Sequence, residues 1–206
     1  YTYGWEKRED GETEWVSING ETGADYQFAK LSKTTFFHRQ AIQGDCESIW
    51  SNAIKITVLP AVTAGEIAGP KEICSGTDVK ITNAAGPGGG NNSYTYSWEQ
   101  RVDGTTNWSP VAGETGLTLE VGRLSQSTWY RRKVSGAGCG AVATAPIKIA
   151  VLAGVNGGTI GEDAEIALCG SGTPGEIVSR SEASGGNGQY VYQWESSLDG
   201  QSWAPI

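Results

Sequence analysis

The chain has 206 residues, a formal net charge of −8 at pH 7, one histidine and four cysteines. Binding along nucleic-acid phosphates requires a basic surface, so this acidic balance excludes a general nucleic-acid binder. The sequence contains no apolar run that approaches the ~18 residues of a membrane-spanning helix. Its 30 glycines, eight tryptophans and charged fraction of only 18% are typical of short strands joined by many turns.

A Tyr-x-Trp-Glu motif returns along the chain and organises the rest of the sequence. Its tryptophans are Trp5, Trp98 and Trp194, at spacings of 93 and 96 residues. A motif that returns at a nearly fixed spacing indicates tandem domains. We therefore expect part of a longer protein, with domains comprising the C-terminal half of one repeat (residues 1–59), a complete repeat (60–154) and the N-terminal half of a third (155–206).

In the first half-repeat, Tyr3 and Trp5 alternate with small or polar residues, which is the period of a half-buried strand. An Asp-Gly turn signal follows at 10–11. Further strands are predicted at 15–18, around Tyr26 and Phe28, at 34–42 and at 53–58.

The complete repeat has the same order of signals, and the third begins it again. Its predicted strands are 79–82, 94–102, 128–134 and 146–152. The Asp-Gly pairs at 103–104 and 199–200 predict tight turns rather than calcium sites, because a calcium loop needs more regularly spaced carboxylates. Helical periodicity is not sustained anywhere, so the fold class is all-β, with tandem immunoglobulin-like β-sandwich repeats of about 95 residues.

The four cysteines fall into two classes that move with the repeat. Cys46 and Cys139 are 93 residues apart, and Cys74 and Cys169 are 95 apart. Without a CxxC pair and with a single histidine, a zinc site is not expected. The order Cys74, Trp98, Cys139 follows the immunoglobulin plan and suggests a disulfide between Cys74 and Cys139, which leaves Cys46 and Cys169 with partners outside the chain. Both cysteines flank their strands instead of lying within them, however, so the pair could also lie at opposite ends of a sandwich.

Aromatic residues of the motif have two interpretations, as core anchors or as a platform for sugar stacking. Their place in a strand alternation favours the core, where burial of one such ring contributes about 2–3 kcal/mol. The predicted core anchors are Trp5, Trp98, Trp194, Tyr96 and Tyr130. The tryptophans that follow each turn, Trp15, Trp108 and Trp203, are candidates for surface contact with a ligand or a neighbouring repeat.

Arg131, Arg132 and Lys133 form a small basic cluster. One interpretation is a patch for anionic glycans, and the other is cross-strand pairing. If Trp98 and Tyr130 point inward, Glu99 and Arg131 point outward on neighbouring strands, where their pairing contributes tenths of a kcal/mol. In the first half-repeat His38 and Glu6 occupy the same places. Since no catalytic triad or metal-ligand set is evident, we expect neither an enzyme nor a cofactor or metal.

The combined pattern of the repeats resembles a known class of surface protein. The run GTI…LCGSGTPGEI…GGNGQYVYQWESSLDGQSWAPI (158–206), with the segments 128–140 and 147–151, is similar to the Ig-like repeats of very large Bacteroidota cell-surface adhesins. Those proteins are of the gliding-motility type and are exported by type IX secretion. The resemblance implies an extracellular, outer-membrane-associated array that acts in adhesion or motility. Its implied partners are neighbouring repeats, surface glycans or abiotic surfaces, and the secretion and motility machinery.

Two other functions fit the same sequence. One is a non-catalytic stalk or carbohydrate-binding module of a secreted polysaccharide-degrading enzyme. The other is a subunit of a surface filament that assembles by strand addition at sandwich edges. Linkers of about six residues, from Val58 to Gly65 and from Val151 to Gly158, restrict the angle between neighbouring repeats. We therefore expect a semi-rigid string, whichever function applies.

Overall fold

The computed structural model describes residues 2–44, 46–161 and 166–206. These residues form strands, turns and irregular segments without a helix, which confirms the predicted all-β class. Accordingly, the described part of the chain offers no helix with the length and apolarity to cross a membrane.

The segment up to residue 59 forms one antiparallel sheet. Strand β1 lies between β2 and β3, and both β4 and β5 pair with β3. The register places Glu6 opposite His38 and Trp5 opposite Arg39. The strands are β1 (Thr2–Glu9), β2 (Val16–Ser17), β3 (Thr35–Ile42), β4 (Ile49–Trp50) and β5 (Ile54–Ile56).

The segment 60–154 forms a two-sheet sandwich. Its strands are β6 (Glu66–Ala68), β7 (Glu72–Cys74), β8 (Asp78–Ala85), β9 (Tyr94–Val102), β10 (Ser109–Pro110), β11 (Leu119–Arg123), β12 (Thr128–Gly136), β13 (Gly140–Ala143) and β14 (Ile147–Leu152). One sheet has the order β11-β8-β6, and the other has the order β10-β9-β12-β14-β7, with β13 beside β12. This is an immunoglobulin-like plan, because β9, β12 and β14 share one sheet and β8 and β11 share the other, as strands C, F and G and strands B and E do in an immunoglobulin domain.

The first two strands of this sandwich connect the two sheets. Strand β6 pairs with β8 in the smaller sheet, and β7 crosses to pair in parallel with β14. The parallel register places Ala150 beside Glu72 and Leu152 beside Cys74. The second strand of the sandwich, β7, is therefore bonded to the last strand, β14.

Alternation along the strands builds the core. Trp98, Ile81 and Ile149 are each 0% exposed, and Tyr130 is 1% exposed. The Trp98 ring also satisfies its polar atom, since Nε1 donates to the Gly116 carbonyl at 2.9 Å. The core cluster comprises Ile67, Ile73, Val79, Ile81, Trp98, Leu119, Tyr130 and Ile149.

Residues 155–206 repeat the beginning of this pattern. The strands are β15 (Thr159–Ile160), β16 (Ser179–Ser181), β17 (Glu195–Ser196) and β18 (Ala204–Pro205), which pair as β15-β16 and β17-β18. A loop glycine has the same backbone shape in both segments: Gly89 and Gly185 have φ of +75° and +80°. In each case a tyrosine hydroxyl, of Tyr94 or Tyr190, donates to the glycine carbonyl at 2.7 Å.

By density of contacts the chain divides into two units, whose bounds differ from those of the predicted repeats. The first contains the residues up to Thr63 with Pro87–Thr95 and Val134–Val142, and the second contains Ala64–Gly86, Tyr96–Lys133 and Ala143–Ile206. The repeat boundaries after residues 59 and 154 stay a prediction from the sequence.

The strand predicted around Tyr26 and Phe28 is wrong, because the structure has no strand at these residues. The corresponding segment of the sandwich, β11, is a strand because it pairs with β8. Among the described residues before Pro60 there is no strand that corresponds to β8. Tyr26 and Phe28 pack instead on Phe37, with ring centroids at 6.1 and 4.7 Å.

Candidate functional site

The outer face of the sheet that contains β9, β12 and β14 has the densest set of charged and aromatic side chains in the sandwich. Along β12 every second residue is buried, so Tyr130, Arg132 and Val134 face the core. Trp129, Arg131 and Lys133 between them face outward and are half-buried. The outward residues meet side chains from the neighbouring strands and form what we call the outer ladder.

Cations and aromatic rings alternate along the outer ladder. The Arg131 guanidinium lies 4.2 Å from the Trp108 ring centroid. Arg101 lies 5.3 Å from the rings of both Trp108 and Trp129. Lys148 on β14 lies 6.0 Å from Trp129, so the ladder crosses four adjacent strands or their ends. Each such contact is worth about 0.5–1 kcal/mol at an exposed site.

Two carboxylates complete the outer ladder. Glu99 pairs with Arg131 at 2.6 Å and with Lys133 at 3.4 Å. Asp103 pairs with Lys148 at 2.6 Å and accepts a hydrogen bond of 2.7 Å from Trp129 Nε1. The hydrogen bond from Lys148, and next to it the bond from Trp129, holds the pKa of Asp103 below its usual value.

The first segment has an equivalent outer ladder with different residues. His38 stands where the sandwich has Arg131, and its ring stacks on Trp15 at 3.6 Å and on Trp50 at 4.0 Å. His38 Nε2 lies 3.1 Å from Glu6 Oε2. Arg8 covers the Trp15 ring at 5.3 Å, as Arg101 covers Trp108. The same geometry is therefore built twice.

This arrangement leaves little unused binding capacity. Sugar stacking needs an open aromatic face, yet the Trp108 face carries the Arg131 guanidinium. Recognition of an anionic glycan needs unpaired cations, yet Arg131, Lys133 and Lys148 each contact a carboxylate. The outer ladder therefore stabilises the sheet by cross-strand pairs. The pair of Glu99 and Arg131 is the one that the sequence predicted.

Arg132 is not a member of the exposed basic cluster that the sequence suggested. Its side chain is 0% exposed, because position 132 shares the inner face with Tyr130. It donates to Asn83 Oδ1 at 2.8 Å, to the Leu117 carbonyl at 2.8 Å and to the Ala64 carbonyl at 2.9 Å. Burial lowers the pKa of its guanidinium. The signal that could have found it is the alternation itself, which places every even-numbered residue of β12 inside.

Arg39 occupies the matching position in the first segment. It donates to the Ala24 carbonyl and lies 4.5 and 5.8 Å from the rings of Tyr3 and Trp5. Arg132 lies 5.4 and 6.0 Å from the corresponding rings of Tyr96 and Trp98. Sequence reasoning missed this inward arginine in both segments.

The burial of the predicted aromatic residues differs from one segment to the next. Trp98 and Tyr130 lie in the core, whereas Trp5 and Tyr96 are half-buried. Trp194 was expected to be a core anchor but is 50% exposed. The strands that cover Trp98 in the sandwich, β11, β12 and β14, have no counterparts among the described residues 155–161 and 166–206. Among the surface candidates, Trp15 and Trp108 are half-buried in their outer ladders, and Trp203 is 60% exposed.

The structure does not contain the predicted disulfide between Cys74 and Cys139. All four cysteines lie in the described part of the chain, and each is a free thiol: Cys46, Cys74 and Cys169 are exposed and Cys139 is half-buried. Cys74 is level with Leu152, beyond the first residue of β12, whereas Cys139 follows the last residue of β12. The nine residues of that strand span roughly 26 Å, and a disulfide needs Cα atoms within about 7 Å.

In the described residues, groups of three or more His, Cys, Asp or Glu side chains that could hold a metal ion are absent.

Comparison with known proteins gives a family and three solved structures that match the chain. The chain belongs to the family described as domain of unknown function DUF8696, whose model matches residues 2–60 and again 63–153. No curated protein matches the chain. The amphioxus IgVJ-C2 molecule is 17% identical, with a TM-score of 0.34, and the match covers 73% of this chain and 89% of that one.

Two further structures align over 100% of this chain. The three N-terminal domains of the highly immunogenic outer capsid protein (Hoc) of bacteriophage RB49 are 15% identical over 69% of that chain, with a TM-score of 0.41. The chicken CNTN1 FN1-FN3 domains are 16% identical over 74% of that chain, with a TM-score of 0.30.

Proposed function

We propose that this member of the DUF8696 family is a non-catalytic repeat segment of a large secreted cell-surface adhesin. Its repeats form an extended, semi-rigid stalk that carries load between the cell and a distal binding element in surface attachment or gliding motility. Type IX secretion would export it to the outside of the outer membrane. Its partners are then the neighbouring repeats and the secretion and motility machinery, and glycans or abiotic surfaces are met mainly by the distal element.

The parallel pairing of β7 with β14 is the observation that carries this proposal. The chain enters through β6, which pairs with β8, continues into β7 and leaves through β14. Because β7 and β14 are parallel, the end of β7 nearer residue 60 and the end of β14 at residue 152 lie at opposite ends of the pair. Tension between residues 60 and 152 therefore shears the two strands past each other. Shear loads all their hydrogen bonds together, including the 2.8 Å bond from Ala150 N to the Lys71 carbonyl, so the sandwich resists extension.

The outer ladder supports the same function. Its rings and charges are used within the sheet, as described for Glu99 and Asp103. A surface that satisfies its own polar groups suits a spacer better than an adhesive patch. The short linkers add to this, because they limit bending between neighbours.

Single-molecule pulling on the 206-residue chain under reducing conditions tests the proposal. Unfolding of the segment 60–152 should appear as one distinct force peak that releases about 280 Å of contour length, at ~3.4 Å per residue less the folded length. Ala150→Pro, which removes the bond to Lys71, should lower that peak. Asn107→Pro is the matched control, because residue 107 is exposed and lies outside the strands. Gradual extension without a force peak, or an equal decrease of the peak force in the two variants, would refute load bearing through β7 and β14.

A binding measurement separates a stalk from an adhesive repeat. The intact chain and its Trp108→Ala variant are passed over immobilised glycans and abiotic surfaces. If the repeats are a stalk, these surfaces should retain neither the intact chain nor the variant above background. Retention of the intact chain that the Trp108→Ala variant loses would instead make the outer ladder the adhesive site.

A further inference from the structure

The free cysteines have a regular placement that the stalk alone does not explain. Each repeat has a position of the Cys74 type, which Cys169 also occupies, and a position of the Cys139 type, which Cys46 also occupies. The thiols are at least partly accessible, so they are not inert core residues. The question is which two of these positions can meet.

Pairing within one repeat is excluded by the length of β12. Cys74 is beside Leu152, and the antiparallel register of β12 with β14 sets Thr128 against Ile149. Cys74 therefore lies outside the first residue of β12. Cys139 lies past the other end, in the turn where its amide donates to the Gly136 carbonyl at 3.1 Å.

The linker after Leu152 leads from the Cys74 position to the start of the next repeat. Within that start, Gly154 packs against Gly185, where an added Cβ would lie 1.9 Å from the Gly154 carbonyl oxygen. The chain thus travels from the level of Cys74 to the N-terminal loops of the following repeat in two residues, about 7 Å of extended backbone.

The same N-terminal loops carry the Cys139 position. In the segment 60–154, Ala61 packs against Gly89 as Gly154 packs against Gly185. The next residue, Val62, contacts the β12–β13 hairpin, since an added Cβ at Gly136 would lie 2.7 Å from Val62 Cγ2. The hairpin that bears a Cys139-type residue therefore lies against the residues that follow each linker.

We infer that a disulfide joins the Cys74-type cysteine of one repeat to the Cys139-type cysteine of the next repeat, across the linker. In a head-to-tail array, two cysteines of the same type are a whole repeat apart. The Cys74-type and Cys139-type cysteines of one repeat are separated by β12. The remaining pair is the Cys74-type cysteine of one repeat and the Cys139-type cysteine of the next, and both lie beside the same linker. This inference rests on the tandem arrangement of the proposed function, not on adhesion or load.

The 206 residues contain no such pair. The first repeat has no counterpart of Cys74, and the third has no counterpart of Cys139.

Formation of the bond is a two-electron oxidation. One thiolate attacks a disulfide oxidant, such as oxidised glutathione, and releases one thiol of that oxidant. The second cysteine thiolate then attacks the mixed disulfide, which forms the Sγ–Sγ bond and releases the second thiol. The two cysteines lose two electrons and two protons, and the oxidant is reduced to two thiols.

A tandem protein made of residues 60–152 twice in succession tests the pairing. Each copy contains all nine strands of the sandwich and its whole core cluster, so each can fold by itself. Joining Leu152 to Pro60 reproduces the native dipeptide Leu59–Pro60. After oxidation with glutathione, alkylation should modify two of the four cysteines, and peptide mapping should find Cys74 of the first copy bonded to Cys139 of the second.

Position-specific variants supply the control. Cys74→Ser in the first copy should abolish the bond, whereas Cys74→Ser in the second copy should leave it intact. The 206-residue chain, oxidised in the same way, should keep four alkylatable thiols as a monomer. Four free thiols in the tandem protein, a bond within one copy, or equal effects of the two variants would overturn the inference. The pulling experiment above uses reduced protein, so its outcome is independent of this one.

Discussion

Replacement of Arg132 by methionine should destabilise the sandwich strongly, although no contact with solvent or ligand is lost. The guanidinium is 0% exposed and is the partner of three acceptors: Asn83 Oδ1, the Leu117 carbonyl and the Ala64 carbonyl. Methionine fills much of the space of the arginine stem but donates no hydrogen bond. The buried Ala64 carbonyl and the part-buried Asn83 Oδ1 and Leu117 carbonyl then lose their donor.

The cost follows from opposing contributions. Each buried acceptor left unsatisfied costs about 1–3 kcal/mol. Removal of a buried cation returns part of this, because burial of the charge was itself unfavourable. Arg132 Nε already lacks a hydrogen-bond partner among the described residues, so its loss costs nothing. The expected net loss in the free energy of unfolding is about 3 kcal/mol, which is the penalty of the three unpaired neutral acceptors less the part returned by removal of the cation.

Thermal unfolding of the isolated segment 60–154 measures this loss. At roughly 5 °C per kcal/mol for a domain of this size, Arg132→Met should lower Tm by about 15 °C. Arg131→Met is the matched control, because it removes the adjacent arginine from the half-buried ion pair with Glu99 on the outer face and should cost less, about 1 kcal/mol. If the two variants lose equal stability, or if Arg132→Met loses less than about 1 kcal/mol, the buried network does not stabilise the fold.

Two further predictions concern backbone shape and pH. Gly65 has φ of +68°, and an added Cβ would lie 2.2 Å from the Ala85 carbonyl oxygen, so Gly65→Ala should cost well over 1 kcal/mol by chemical denaturation. Gly104→Ala is its control, because φ is +80° there but no atom lies within 4 Å of the added Cβ. This control should lose only the backbone strain of about 1–2 kcal/mol in the free energy of unfolding. Equal losses in the two variants would contradict the steric argument for Gly65. Hydrogen bonds from the backbone amides after Asp199 lower the pKa of its carboxyl to about 2. The ionised Asp199 therefore stabilises the folded turn fully at pH values above 3.8, the ordinary pKa of the carboxyl. This stabilisation is lost as the pH falls toward 2, where the folded carboxyl becomes protonated. A carboxyl NMR titration should give a midpoint near 2 that rises in Ser197→Ala, and a midpoint near 3.8 would contradict the assignment.

The fold was predictable because its signals are local and repeated. Alternation around Trp98 and Tyr130 indicated strands with one buried face, and the structure places both side chains inside. The same alternation gave the outward pair of Glu99 and Arg131, which the structure joins at 2.6 Å. The strand from Tyr94 to Val102 has the predicted bounds, because apolar period, β-propensity and a following turn agree there.

What the sequence did not predict depends on residues that are far apart along the chain. A buried arginine is unfavourable unless its acceptors are in place, and those of Arg132 come from positions 64, 83 and 117. Alternation favoured burial of this residue while charge favoured exposure, and only the three-dimensional arrangement decides between them. The same is true of Cys74 and Cys139, whose order along the chain fits a disulfide although the length of β12 separates them.

The inward and outward arginines of β12 give the proposed stalk two independent ways to resist shear. Load on the pair of β7 and β14 reaches β12 through the register of Thr128 with Ile149. On the outside, Arg131 ties β12 to β9 through Glu99. On the inside, Arg132 ties β12 to the smaller sheet through Asn83 on β8. Separation of β14 from its neighbours must therefore compete with contacts on both faces of the next strand, which favours a single cooperative failure over a gradual one.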